Sequence, residues 1–113
     1  MYVCKKTIVY HSKRYGKTAT VPEGYESDGA TGAIDIWSEG WWVHDWLCGN
    51  WTGNGPKPPV GEWDDGTKLT NWEASQVLQD ILASEGRWLR SKYWFWFTYL
   101  FGGEKIKSAN GWK

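Results

Sequence analysis

The 113-residue sequence predicts an α+β fold: a small N-terminal β-hairpin packed on about three helices, in a single domain. Three observations carry this. The opening run is β-rich and turns back at Gly16, and later stretches repeat apolar residues every three to four positions. The length suits one core, which at this size buries roughly two-thirds of the unfolded surface.

The hairpin is expected over residues 5–22. Thr7 to Tyr10 forms one strand, "HSKRYGK" supplies the turn and Thr18 to Val21 returns. Pro22 ends that strand because it has no N–H for the ladder. "ESDGATGAID" reads as a small-residue loop centred on Asp28. Over 36–48 the pattern turns helical. Trp37, Trp41, His44 and Cys48 stand at offsets 0, 4, 7 and 11, one face of a helix. His44 thus points inward with the tryptophans, and Asp45 stands about 100° round, at the edge of the stripe. Gly49 is placed to end the helix.

Residues 49–69 hold five glycines and three prolines and read as an irregular loop, with Trp51 and Trp63 facing solvent. The helix over 70–85 is announced by a capping box, Thr70 with Glu73. Its apolar stripe is Ala74, Val77, Leu78, Ile81 and Leu82, and Gly86 stops it. The aromatic block over 87–101 is read as a third helix from its length and from Arg87, Arg90 and Lys92. Residues 102–113 are expected as a polar tail, Ile106 and Trp112 excepted.

Composition narrows the function. Lys plus Arg and Asp plus Glu both number 13, so the chain lacks the basic excess of a nucleic-acid binder, and no nucleic acid is expected as a partner. No secretory signal is read in "MYVCKKTIVY", so secretion by that route is not expected. The longest apolar block, Tyr93 to Phe101, is far short of the ~20 residues that a helical membrane span needs. Tryptophan is the excess: 11 residues, a type that concentrates in interface cores, sugar platforms and membrane-surface belts. Roughly half are assigned to the core and the rest to a contact surface. Cys4 and Cys48 lack metal-ligand spacing and are expected as free thiols.

The sequence "WWVHDWLCGNW" sets His44 and Asp45 among tryptophans. A His-Asp pair on a helix near a glycine-rich loop can activate water. The imidazole takes the proton, while Asp45 and Asp28 hold a hard cation that stabilises an oxyanion. Alternatively, His44 is a polar anchor whose ring N–H bonds within the core, and Asp28 closes a turn.

"VPEGYESDGAT", "HDWLC", "NWEASQVLQDIL" and an aromatic segment ending in "FGG" occur in that order. In this the chain resembles a family of short phage and prophage proteins known as domain of unknown function 1353, over roughly residues 7–103. The resemblance implies a phage origin, with the phage particle or host cytoplasm as location. The family pattern is in turn similar to a phospholipase A2 site, in which a second helix supplies an aspartate that orients the histidine. Asp28, His44 and Asp45 match. Cys48 stands where the family has tyrosine, and Ser75 where it has the second aspartate. A serine cannot supply the charge that would steady an imidazolium. Asp80 lies about 140° round the helix from Ser75 and does not replace it.

Three functions are therefore weighed. The first is a virion-associated component that docks on other phage structural proteins through Trp51, Trp63, Arg87, Trp88, Trp94 and Trp96, and it needs no cofactor. The second is a calcium-assisted lipid or ester hydrolase with His44 as base and Asp28 and Asp45 as metal ligands. The third is a glycan or cell-wall binder stacking sugars on Trp51 and Trp63. A membrane surface or a glycan stays open as a partner alongside protein.

Overall fold

The structure is a computed structural model and describes residues 2–27, 39–86, 88–101 and 104–113. Its elements are β1 (Tyr2–Val3), β2 (Ile8–Ser12), β3 (Lys17–Val21), β4 (Glu26–Ser27), α1 (Glu39–Cys48), α2 (Asn71–Ser84), α3 (Trp88–Phe101) and α4 (Glu104–Asn110). The α+β expectation holds, with the hairpin near the N-terminus and helices behind it. There are four helices among the described residues, because the expected tail contributes one.

β2 and β3 pair antiparallel, Ile8 opposite Val21 and Ser12 opposite Lys17. Alternation puts Ile8, Ser12, Ala19 and Val21 on the buried side. Gly16 closes the turn at φ 63°, its N–H on the Ser12 carbonyl at 2.9 Å. β1 and β4 add a short second pair, continued where the Cys4 N–H meets the Tyr25 carbonyl at 2.8 Å.

α1 runs through the middle of the molecule. Eight of its ten residues are buried, and it packs on α2, α4 and both hairpin strands. Asp45, expected at the edge of the apolar stripe, is buried as well. The expected helical residues 36–38 lie outside the described residues.

α2 begins as its sequence predicts. The Thr70 hydroxyl accepts from the Glu73 N–H, and the Glu73 carboxylate accepts from the Thr70 N–H at 2.9 Å. The two amides between them are met from the far end of the chain. The Asn71 N–H bonds the Gly111 carbonyl at 3.1 Å, and the Trp72 N–H bonds the Trp112 carbonyl at 2.7 Å. A helix start normally leaves these donors to water or side chains. Here the C-terminal strand of residues does the capping.

The polar-tail expectation for 102–113 is corrected on this point. α4 is a helix, Ile106 is fully buried, and the Asn110 amide donates to the carbonyls of both Gly61 and Leu69 at 2.9 Å. The tail reads as polar apart from Ile106 and Trp112, and backbone acceptors elsewhere help to hold its helix in place. Gly61 is where loop, α1 and α4 cross. Its φ is 66°, its N–H meets the Leu47 carbonyl at 2.7 Å, and a Cβ there would stand 2.9 Å from Ile106.

Truncating the tail's one apolar anchor, Ile106→Ala, is expected to cost about 2–5 kcal/mol of unfolding free energy. Phe101→Ala, on the exposed surface, should change it by less than about 0.5 kcal/mol. Urea unfolding of both variants checks the contrast, and equal midpoints would mean that α4 is not part of the core.

Candidate functional site

His44 and Asp45 are held by neighbouring positions of α1, with the His44 side chain fully buried. The ring touches three things. Its Nε2 lies 3.5 Å from the Cys48 sulfur one turn on, and its plane meets Trp41 edge-on at 6.2 Å between centroids. Its Nδ1 lies 3.8 Å from the Asp45 carboxylate, within ion-pair range but too long for a hydrogen bond. Nδ1 has no hydrogen-bond partner. Leaving such a group bare typically costs about 1–3 kcal/mol.

Asp45 is tied into the end of its own helix. The Asn50 side chain donates to its carboxylate at 3.3 Å, and the Asn50 N–H meets its carbonyl at 3.1 Å. The carbonyl of Asn50 accepts from the hydroxyl of Tyr25, a fully buried ring edge-on to Trp46 at 5.0 Å. Sequence reasoning missed Tyr25 in this role.

Burial by itself lowers the pKa of the His44 imidazole. The Cys48 sulfur, once ionised, and the Asp45 carboxylate act the other way, and together they carry it up to about 10. A general base has to be unprotonated when it meets its substrate. An imidazole enclosed in the core, away from any substrate, is poorly placed for that work.

The calcium reading needs oxygens that converge on one point. A hard cation takes six to eight oxygens, roughly 2.3–2.6 Å away. Asp28 lies outside the described residues, and the Asp45 carboxylate is already engaged by Asn50. Among the described residues, no three His, Cys, Asp or Glu side chains converge to hold a metal ion. Ser75 is fully buried, its hydroxyl 3.0 Å from that of Thr98 on α3. The Thr98 hydroxyl also lies 2.8 Å from the Trp94 carbonyl. Asp80 faces the hairpin instead, gripping the Arg14 guanidinium through two bonds of 2.8 and 2.9 Å. That pair borders an open groove of about 460 Å³, lined by Tyr10, His11, Lys13 and Ser84 as well.

The expected contact residues separate. Trp63 is 3% exposed and belongs to the core, beside Tyr15 at 6.1 Å. Its surface assignment is corrected. Asp64 anchors the turn to β3 by accepting from the Thr20 N–H at 2.9 Å, which swings the neighbouring indole inward. Trp51 is 38% exposed, with its N–H donated to the Asn54 carbonyl at 3.1 Å and Lys57 over its ring at 5.3 Å, so it staples its own loop. Trp94 is half-buried against Trp41, 5.2 Å between centroids. Arg87 and the side chain of Trp88 lie outside the described residues.

Trp96 is 53% exposed, and it has company that sequence reasoning did not single out. Leu89, Tyr93, Trp96 and Leu100 are all exposed and fall within about 60° of arc on α3. Phe101, 72% exposed, adjoins them. The 4-3-4 spacing of those four residues was the signal, hidden because nearly every residue of the block is apolar. Against α2, by contrast, α3 buries Ser91 and Thr98 together with Phe95.

Comparison with known proteins finds no matching family model, no matching curated protein and no matching solved structure. The phage-family resemblance thus rests on the motifs alone.

Because the folded pKa of His44 lies above the unfolded 6.5, the native state holds an extra proton between 6.5 and about 10. Its contribution to stability is therefore complete below pH 6.5 and is lost as pH rises towards 10. Denaturation midpoints measured across that window should fall for the wild type relative to His44→Gln. A relative rise would contradict the shift.

Proposed function

We propose that the chain is a non-catalytic docking protein whose contact surface is the outer face of α3. The observation that carries this reading is the exposed apolar face of that helix. Among its described side chains it buries Ser91, Phe95 and Thr98, and it leaves Leu89, Tyr93, Trp96, Leu100 and Phe101 exposed. Single exposed apolar residues are ordinary, but a contiguous stripe of large ones marks a contact site. The fully buried His44 supports the same reading from the other side, since its enclosure favours bracing over base catalysis. The motif resemblance sets such a protein in a phage or prophage, where particle proteins and host surfaces are the partners at hand.

Complementation separates docking from hydrolysis. In a strain deleted for the gene, His44→Gln is expected to repair the resulting defect as well as the wild type does. Tyr93→Glu combined with Trp96→Glu should fail to repair it while keeping the wild-type circular dichroism spectrum. The reverse pattern would contradict the proposal.

A further inference from the structure

We propose that the face of α3 docks on an anionic lipid surface; this rests on the docking reading above and names its partner. Two independent features point to lipid: the shape of the apolar stripe and the way charge is distributed around it.

The stripe runs the length of a fourteen-residue helix, about 21 Å, which is too short to cross a bilayer core of about 30 Å. No helix among the described residues is long and apolar enough to span. A helix of this length with leucines and aromatic rings along one side can lie in the interfacial plane, its apolar face sunk to the acyl boundary. Trp and Tyr suit that depth because each has an apolar ring and a polar edge.

Charge is segregated along the chain although the total is zero. From residue 87 onward there are six Lys and Arg against one Glu, whereas residues 1–86 carry seven against twelve Asp and Glu. The positive end is also the end with the stripe. On the helix, Lys92 is exposed on one flank of the stripe. At its C-terminal end the Lys107 ammonium donates to the Leu100 carbonyl at 3.1 Å. It also sits 3.7 Å from the ring centre of Trp112, itself exposed. Rings bordered by cations match the layered chemistry of an anionic membrane, acyl chains below and phosphates above. Each cation near such a surface strengthens binding about fivefold.

A second copy of the chain fits less well. Pairing two α3 faces would bring two cationic borders together.

The test is flotation of the full-length protein with vesicles of phosphatidylcholine, with or without roughly a third phosphatidylglycerol. The protein should float with the anionic vesicles at least about tenfold better than with neutral ones, and raising salt from about 0.1 to 0.5 M should weaken it. Tyr93→Glu with Trp96→Glu should abolish flotation without loss of circular dichroism. Equal flotation with both compositions would overturn the anionic assignment. No flotation, together with a dimer in analytical ultracentrifugation that the double variant dissolves, would overturn the lipid proposal and leave docking standing. Absence of both, with the double variant fully active in complementation, would overturn docking itself.

Discussion

The fold depends on α1 being enclosed. Ten residues cross the middle of the molecule with hairpin, α2 and α4 packed around them, so every polar group on that helix has to be settled inside. Asp45 is settled by Asn50, Asn50 by Tyr25, and the His44 Nε2 by Cys48, while Nδ1 is left without a hydrogen bond. That chain of contacts joins the end of α1 to the turn after β3. It makes the His-Asp pair look like a site in one dimension and a brace in three.

Enclosure of α1 also explains where the aromatic surplus goes. Trp41, Trp46 and Trp63 are taken into the core, and a small domain has limited room for more indoles. α3 packs mainly on α2, through a narrow face that includes Ser91, Phe95 and Thr98, and Tyr93, Trp96 and Phe101 are left outside. Edge-to-face contacts among Tyr93, Trp94 and Phe97 stiffen that outer layer, with centroids 5.0 Å apart in two of the pairs. A stiff apolar face loses little entropy on contact, a property that suits docking.

Much of the architecture was legible in the sequence. The hairpin came from its turn and its Pro22 stop, and α2 from a capping box and an unambiguous stripe. The fourth helix was not legible, because α4 is held by backbone carbonyls of Gly61 and Leu69, distant acceptors that leave no mark on its own residues. Trp63 was misjudged for a related reason. Its position follows from Asp64 bonding to β3, a pairing 44 residues apart in the chain. Within α3, length and the flanking Arg87, Arg90 and Lys92 could indicate a helix but not a face, since apolar residues surround it. Which side is exposed is decided by what packs on α2. His44 was correctly aimed inward, while its depth of burial depended on neighbours brought in from both ends of the chain.

Covalent labelling of the two histidines reaches the central point most directly. His11 lies exposed on β2, whereas His44 is enclosed, so diethyl pyrocarbonate followed by peptide mass spectrometry reads both environments in one sample. The native protein should be modified at His11 and protected at His44, with both labelled after unfolding in urea. Prompt labelling of His44 in the folded protein would show an imidazole open to solvent, and the brace would have to be reconsidered as a working base.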